Sequence, residues 1–375
     1  MIDVSPLLES VYENNHSSRA ATAQTERRSD AISNIGRALR EKGYFYAQNV
    51  SVLPLNYLNF IYEYSRHLHS LPLHVKNKFA QRGGYGAYSG MDIGQPELAY
   101  DPSTVASVHA WDYSRNSFSL SQSSPLPNKG NSFPDAADGM TPPYHQVLDG
   151  LYERQNILAR ALMGAFAEAL ELPPNTFVNM FDGHSSDPQD DVGDFGTIRL
   201  LHYPGIATTS TAEEAANLQK ANIGISAHTD FEAFTLMHQS APGLQFLIPN
   251  HDPVNNTRER RWVDAPASAE EFVVIIGDAL ERCTNGFWKA TPHRVLKTAH
   301  PRWSIIRFNA FAPNTVVRPL EKFVSPENPA SYTPVTMKVH MQTTMKNLEA
   351  GLGAWDDITQ TSRTANYVYI DGKDP

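Results

Sequence analysis

Two histidines and one aspartate have the residue types and the spacing of a metal site. In the stretch 223–239, IGISAHTDFEAFTLMHQ, an apolar run ends in His228 and Asp230, and His293 follows in the β-like run TPHRVLK. Side chains at positions i and i+2 of a strand project from the same face, so His228 and Asp230 can reach one ion. Two histidines and a carboxylate leave adjacent positions open on Fe(II), whereas zinc in the same set would activate water for hydrolysis. Each histidine taken alone could equally be structural or lie at the surface.

A candidate anion anchor follows shortly after the second histidine. Arg302 and Ser304 stand two apart in the apolar run HPRWSIIRF, so as strand residues they share a face. An arginine inside a pocket is costly unless it meets an anion. Its guanidinium pairs in a fork with a carboxylate, and the serine hydroxyl can add a further hydrogen bond. An arginine pointing to solvent from an edge strand is the alternative.

Composition narrows the function classes. The 375 residues are 41% hydrophobic and 19% charged, which is typical of a globular protein with a sizeable core. The net charge of −9 and the lack of a Lys/Arg-rich run argue against nucleic-acid binding. No apolar run reaches the roughly 18 residues of a membrane span, and the N-terminus lacks the features of a secretory signal.

The single cysteine, Cys283, excludes an intramolecular disulfide and a cysteine-based metal site, and it fits a reducing compartment. We therefore expect a cytoplasmic protein with no nucleic-acid or membrane partner, as a monomer or homodimer.

The elements that must position these residues can be read from periodicity and turn signals. Residues 31–43 and 144–171 are predicted helices, 10–30 a loop or frayed helix start, and 83–143 a loop-rich stretch. From about residue 197, short β-rich runs separated by turns predict a sandwich or jelly roll. We expect three regions: 1–143 with helices and loops that cover the site, 144–315 with the long helix and the strand-rich core, and 316–375 as a C-terminal extension that includes a helix over 335–350.

Several stretches, in this order, resemble one known family. They are IDVSPL, IGRALREKGYFYAQNV, GGYGAYSG, IRLLHYPG, AHTDFEAFTLMHQSAPGLQF, FVVIIGDALERCTNGFWKATPHRV and RWSIIRFNAF. Together they resemble the Fe(II)- and 2-oxoglutarate-dependent dioxygenase superfamily, in its isopenicillin N synthase-like branch. The resemblance implies a mainly β fold with flanking helices, in which a double-stranded β-helix, or jelly roll, carries an N-terminal α-helical region.

The resemblance also implies roles for individual residues. His228, Asp230 and His293 would bind iron; Arg302 and Ser304, assisted by Tyr203, would hold the distal carboxylate of 2-oxoglutarate. Tyr203 is otherwise a strand-end aromatic of the core. The implied cofactors are Fe(II), the co-substrate 2-oxoglutarate and O₂, with ascorbate as an optional stimulant. The implied reaction hydroxylates, desaturates or cyclises a small-molecule metabolite, in secondary metabolism, and releases succinate and CO₂.

Substrate contacts follow less directly from the resemblance. The candidates lie beside the metal pair, on the strands bordering the site or in the loop-rich region, and they are Phe231, Phe308, Arg199, Tyr88 and Trp111, with Tyr85, Asp112 and Arg115 as further candidates. Core packing or a surface position is the alternative for each. Two other functions stay open: an iron oxidase of the isopenicillin N synthase type that needs no 2-oxoglutarate, and a non-catalytic jelly-roll binding module.

Overall fold

The architecture was obtained as a computed structural model. It describes residues 1–9, 18–80, 87–94, 100–101, 107–114, 133–183, 196–205, 223–252, 257–351, 355–356 and 361–362.

Among the described residues, six α-helices lie in the N-terminal half of the chain and two in its C-terminal half. They are α1 (Ser5–Glu9), α2 (Ser18–Lys42), α3 (Leu55–His69), α4 (Leu73–Lys76), α5 (Tyr144–Ala169), α6 (Thr176–Asp182), α7 (Asp278–Cys283) and α8 (Met337–Glu349). The longest, α5, buries residues three and four apart, such as Leu148, Leu151, Tyr152 and Gln155. This spacing places one apolar stripe of the helix against the sheet. No helix in the described ranges is long and apolar enough to cross a membrane.

Two sheets form the centre of the molecule. The strands are β1 (Ile2–Asp3), β2 (Tyr44–Gln48), β3 (Tyr88–Ser89), β4 (His109–Tyr113), β5 (Thr197–Tyr203), β6 (Ile223–His228), β7 (Phe234–Gln239), β8 (Leu244–Asp252), β9 (Thr257–Asp264), β10 (Phe272–Ile276), β11 (His293–Leu296) and β12 (Arg302–Asn309). The larger sheet has the order β1-β2-β10-β7-β12-β5-β4-β3, and the smaller has the order β6-β11-β8-β9. Short pairs β13–β14 (Val316–Val317, Val335–Thr336) and β15–β16 (Trp355–Asp356, Thr361–Ser362) follow.

The larger sheet has two buried faces with different roles. Its inner face meets the smaller sheet in an apolar cluster that includes Leu201, Met237, Phe246, Val295 and Ile306. Its outer face packs on the helices through residues such as Ile198, Leu200, Leu236, Ile305 and Phe311. Strands β7 and β10 are buried along their whole length because both of their faces are covered. The predicted jelly roll with flanking helices is therefore confirmed.

The N-terminal region differs from the prediction in two places. Helix α2 begins at Ser18, inside the stretch 10–30 expected as a loop or a frayed helix start, since a polar helix gives little apolar periodicity to detect. The loop-rich stretch 83–143 contains β3 and β4, and β4 pairs along its length with β5. The larger sheet thus crosses the expected boundary at 143/144, and the division into three regions stays a prediction.

Three histidines cluster on the helix-covered face of the larger sheet. The ring centroid of His202 lies 5.4 Å from that of His69 and 5.6 Å from that of His109. Burial is the main cause that lowers the pKa values of all three rings, that of His202 to about 4. The nearby Lys76 lowers all three further, and neighbouring histidines add to the effect on His69 and His202. Asp92, which accepts a hydrogen bond from Lys76, acts in the opposite direction on His109 and His202. The folded chain therefore keeps these rings neutral at pH values where an unfolded histidine is charged.

This cluster predicts a loss of stability in mild acid. Below the ordinary histidine pKa of about 6.5 the unfolded chain binds protons that the folded chain does not, so the free energy of unfolding falls between about pH 6.5 and 4. The variant His202→Phe should show a shallower fall when urea unfolding is measured across this range. His145→Asn, at an exposed histidine of α5, should keep the wild-type slope. Equal slopes for His202→Phe and wild type would contradict the assignment.

Candidate active site

The three candidate metal ligands meet at one end of the smaller sheet. His228 is the last residue of β6 and His293 the first of β11, and the two are directly paired across the strands. Asp230 follows β6, and its Oδ1 lies 3.7 Å from His228 Nε2 and 3.6 Å from His293 Nε2. One ligand atom from each residue lies within 4.8 Å of the others, and all three residues are buried. Sequence positions far apart in the chain are thus brought to a single ion-sized space.

Both imidazoles are oriented with Nε2 toward this space. His228 Nδ1 lies 2.8 Å from the carbonyl oxygen of Ser226, and His293 Nδ1 lies 3.0 Å from that of Thr291. A carbonyl only accepts, so each Nδ1 carries the proton and each Nε2 presents a lone pair. Burial, with the neighbouring His293, lowers the pKa of His228 well below its ordinary value. The neutral imidazole that a metal requires is therefore the favoured form.

The carboxylate of Asp230 is held by a neighbouring strand. Thr235 Oγ1, in β7, donates a hydrogen bond of 2.5 Å to Asp230 Oδ2. The other oxygen, Oδ1, is the one close to both histidines. This arrangement presents one carboxylate oxygen to the ion and fixes the other.

Removing the hydroxyl of Thr235 is expected to weaken metal binding. Groups that orient a metal ligand typically contribute 10- to 100-fold to affinity, so Thr235→Val should raise the Fe(II) dissociation constant about tenfold. Anaerobic Fe(II) titration measures the effect. Thr235→Ser keeps a hydroxyl and is the matched control, with an affinity near that of wild type. Wild-type affinity in Thr235→Val would show that the bond does not orient Asp230.

A second polar group lies on the inner face of β12. Arg302 is fully buried, donates from Nε to Ala241 O (3.0 Å) and from Nη2 to Gln239 Oε1 (2.8 Å), and its Cζ lies 4.8 Å from the ring centroid of Tyr203. Ser304 lies on the same face and is 1% exposed. Within the described part of the chain, neither Arg302 Nη1 nor Ser304 Oγ has a hydrogen-bond partner. Unsatisfied buried donors cost about 1–3 kcal/mol each, so this pair fits a bound carboxylate.

Strand β7 supports both the metal ligands, through Thr235, and Arg302, through Gln239. The sequence analysis did not identify these two residues. Thr235, Met237 and Gln239 alternate along it and share its inner face, as their bonds to Asp230 and Arg302 and the position of Met237 in the core show. The i, i+2, i+4 spacing directly after the metal pair was a signal that could have identified Thr235 and Gln239.

An apolar group lies beside the metal ligands on the side of Phe231. The ring of Tyr100 stacks on that of His228, with centroids 4.0 Å apart and planes 4° apart, and meets the ring of Phe231 edge-on at 6.0 Å. Met341, Met345 and Leu348 of α8 pack on the same cluster. The sequence did not identify Tyr100 or these α8 residues, because their positions depend on how distant segments return to the site.

Arg199 and Phe308 also face the inner side of the larger sheet. Arg199 is bidentate to Asp112, with Nε–Oδ1 and Nη2–Oδ2 distances of 2.7 Å, and its Cζ lies 5.8 Å from the Phe308 ring centroid. Two residues singled out separately in the sequence are therefore partners of each other, across the β4–β5 pairing. Arg199 is already neutralised by Asp112, whereas Arg302 forms no ion pair within the described part of the chain.

Tyr88 and Trp111 lie on the opposite face of the sheet. Both are fully buried, with ring centroids 4.7 Å apart, and they belong to the cluster between the sheet and the helices. Tyr88 donates to Asp92 at 2.9 Å. The structure does not bring either residue to the three candidate ligands, so we do not include them in the site. Tyr85 and Arg115 lie outside the described residues.

Glu232 is a buried acid next to the metal pair. Burial and the charge of Asp230 raise its pKa to about 8, and its Oε2 accepts from the backbone N–H of Phe231 at 3.1 Å. A bound cation would favour its ionised form, since a metal is the largest charge in such a site.

Solved structures share this architecture. A full-length protein of Neurospora crassa, solved in complex with alpha-KG, superposes with a TM-score of 0.70 at 20% identity, over 92% of this chain and 95% of that one. The rice dioxygenase for auxin oxidation has a TM-score of 0.60 at 18% identity, over 93% and 95%. At these identities the likeness shows the fold.

The relatives that this chain resembles in sequence match it over different shares of its length. Clavatol oxidase of Penicillium crustosum is 24% identical over 91% of this chain and 94% of its own length. The 2-oxoglutarate-dependent dioxygenase ecdK of Aspergillus rugulosus is 34% identical over 41% of this chain and 40% of its own. The homoarginine-6-hydroxylase of Glycine max is 33% identical over 44% of each, so the chain spans less than half of these two relatives.

Fold and site together are those of a jelly-roll enzyme in which two histidines and an aspartate could hold a metal ion. Residues 197–310 match the model of the 2OG-Fe(II) oxygenase superfamily, a range that contains the three candidate ligands, Arg302 and Ser304. This match, together with relatives named 2-oxoglutarate-dependent dioxygenases, supports the Fe(II)- and 2-oxoglutarate-dependent oxygenase superfamily for this chain. It is an oxidoreductase that uses Fe(II), 2-oxoglutarate and O₂, as the resemblance implied.

Proposed function

We propose that this protein oxidises a small-molecule metabolite of secondary metabolism while converting 2-oxoglutarate and O₂ to succinate and CO₂. One observation carries the proposal: a buried His₂Asp set and a buried guanidinium and hydroxyl with unsatisfied donors both lie in the interior of the fold. The donor set suits Fe(II) with open coordination positions, and the donors suit a carboxylate.

Individual residues take the following roles in this proposal. His228, Asp230 and His293 hold Fe(II), while Arg302 and Ser304, beside the ring of Tyr203, hold the distal carboxylate of 2-oxoglutarate. When bound, the iron supplies O₂ activation and the oxidation of a substrate C–H bond. The remaining task of the chain is to orient the substrate and exclude water. Phe231, Phe308 and Arg199 are the sequence candidates that we retain as substrate contacts.

The competing functions lack this support. A hydrolytic zinc site works through an activated water, which does not by itself require a buried guanidinium with an unsatisfied donor. An oxidase that needs no 2-oxoglutarate could use the same arginine for its substrate. However, three of the relatives, from Aspergillus rugulosus, Penicillium crustosum and Aspergillus flavus, are named 2-oxoglutarate-dependent dioxygenases. A binding module would not require three potential metal ligands to converge in a buried site.

The substrate class follows from the side chains beside the ligands. Tyr100, Phe231, Met341 and Met345 are apolar or aromatic, and the Arg199–Asp112 pair is polar but internally neutralised. We therefore favour a neutral substrate with an aromatic or other apolar portion. The names of the fungal relatives, clavatol oxidase among them, support a place in secondary metabolism.

The test combines co-substrate and substrate measurements. The protein is loaded anaerobically with Fe(II) and 2-oxoglutarate, exposed to air with fractionated fungal metabolite extracts, and analysed by mass spectrometry for succinate and for products. We expect one succinate for each product, and the product should gain one oxygen atom or lose two hydrogens. Product formation without succinate would support the 2-oxoglutarate-independent oxidase, and neither product nor succinate would contradict the enzymatic proposal.

We also propose a cytoplasmic location, supported by the single cysteine. Cys283 is buried, and burial raises the pKa of its thiol to about 12, so the thiol is unreactive in the folded chain. Whether the protein is a monomer or homodimer stays a prediction that light scattering can test.

A further inference from the structure

We propose that His340 is a positioning residue of the metal centre, through which the C-terminal helix α8 holds the backbone beside Asp230. The inference rests on the proposed function of the site. It extends that function to a segment beyond residues 197–310, the range matched by the superfamily model.

The metal loop, residues 230–233, is fixed through its carbonyl groups. The start of α7 fixes three of them: Asp278 N donates to Asp230 O at 2.8 Å, Ala279 N to Glu232 O at 3.2 Å, and Gly277 N to Ala233 O at 2.9 Å. Gly277 comes so close to the metal loop that a Cβ at its position would lie 2.2 Å from Glu232 O. The backbone on both sides of Phe231 is therefore tightly held.

The carbonyl of Phe231 is fixed from another direction. His340 Nε2, on α8, lies 2.9 Å from Phe231 O, although the two residues are 109 apart in sequence. The carbonyl can only accept, so His340 is the donor, with its proton on Nε2. His340 is fully buried, and its carbonyl oxygen accepts a hydrogen bond of 3.0 Å from Thr344 Oγ1. Without this donor, Phe231 O would lose a hydrogen bond in a buried site.

The same helix also contacts the other side of the ligand set. Met341, Met345 and Leu348 pack with Phe231 and Tyr100, and the Tyr100 ring lies flat on the ring of His228. Helix α8 thus contacts the backbone after Asp230 through a hydrogen bond. It contacts His228 indirectly, through the apolar cluster that includes the Tyr100 ring. The first contact is to the residue directly after Asp230 and the second is to a ring stacked on His228, so the position of α8 should be coupled to metal affinity.

A merely structural histidine would behave differently. His69 provides the comparison: it is buried on helix α3, and its Nε2 lies 3.2 Å from the carbonyl oxygen of Leu200, on the outer face of the sheet. Its replacement removes the same kind of bond without touching the metal loop. Loss of stability alone cannot separate the two roles, but Fe(II) affinity can.

The experiment compares four full-length proteins: wild type, His340→Leu, His340→Gln and His69→Leu. Fe(II) affinity is measured by anaerobic titration, and backbone protection at 230–233 by hydrogen exchange with mass spectrometry, without any substrate. We expect His340→Leu to weaken Fe(II) binding about tenfold and to speed exchange in the metal loop. His340→Gln, whose amide can donate from a similar position, should recover binding to within about twofold of wild type. His69→Leu should lower the melting temperature and keep wild-type Fe(II) affinity.

Two results would overturn the inference. One is wild-type Fe(II) affinity in His340→Leu, and the other is an equal loss of affinity in His69→Leu. If His340→Leu does not fold, His340→Asn replaces it, because its amide is one methylene shorter than that of glutamine and falls short of the carbonyl. Equal affinities of the Asn and Gln variants would then overturn the inference. Failure of the wild-type protein to bind Fe(II) would instead contradict the proposed function itself.

Discussion

Replacing Asp230 with alanine is expected to abolish Fe(II) binding and to reduce 2-oxoglutarate turnover at least about a thousandfold. The carboxylate is the one anionic ligand of the set, and its Oδ1 lies within 3.7 Å of both histidine Nε2 atoms. Metal chemistry contributes several kcal/mol to a reaction barrier, and each 1.36 kcal/mol is a factor of ten in rate. Succinate formation measures turnover, and anaerobic titration measures binding.

The metal-free variant should fold as well as wild type. Asp230 is 4% exposed, and a carboxylate buried there costs free energy that alanine avoids. We therefore expect the melting temperature without metal to stay the same or rise in Asp230→Ala. Asp264→Ala removes an exposed carboxylate from β9 and is the control, with wild-type binding and turnover. Iron-dependent turnover retained in Asp230→Ala would rule out the ligand assignment.

Replacing Arg302 with leucine should raise the KM for 2-oxoglutarate about a hundredfold or more. Removing one partner of a buried, hydrogen-bonded charge pair typically costs 2–5 kcal/mol, and a hundredfold corresponds to about 2.7 kcal/mol. The effect should fall mainly on KM, because the side chain binds the end of the co-substrate away from the reacting atoms. Arg302→Lys should recover only part of the affinity, since an ammonium cannot form the two-pronged pair.

The control for Arg302 is an arginine elsewhere in the β structure. Arg294, in β11, donates from Nε to Gln245 Oε1 at 2.8 Å and has its Cζ 4.2 Å from the Trp262 ring centroid. Arg294→Leu should therefore keep the wild-type KM for 2-oxoglutarate. An unchanged KM for 2-oxoglutarate in Arg302→Leu would mean that the unsatisfied donors Arg302 Nη1 and Ser304 Oγ bind some other ligand.

The catalytic half of the molecule was largely predictable from the sequence. Turn-separated β runs after residue 197 indicated the jelly roll, and strand alternation placed His228 with Asp230 and Arg302 with Ser304 on shared faces. The structure has these pairs in β6 with its following turn and in β12. The assignment of iron and 2-oxoglutarate came from the family resemblance, because spacing alone also allowed zinc.

The substrate side was harder to predict for physical reasons. Trp111 and Tyr88 lie in short strands between Gly- and Pro-rich segments, so no sequence pattern indicated which face each side chain would take. The Arg199–Asp112 pair depends on the register between β4 and β5, and Tyr100 and His340 depend on where distant segments pack. Such contacts are set by tertiary structure and leave no local periodicity.

In the proposed site the His₂Asp set binds one Fe(II), and one 2-oxoglutarate extends from this iron to Arg302. The most direct measurement is the visible absorption of the Fe(II)–2-oxo acid chelate during anaerobic titration of 2-oxoglutarate into Fe(II)-loaded protein. We expect an absorption that saturates at one equivalent of each, is absent in Asp230→Ala and requires much more 2-oxoglutarate in Arg302→Leu. A folded wild-type protein that develops no such absorption would contradict the proposed site.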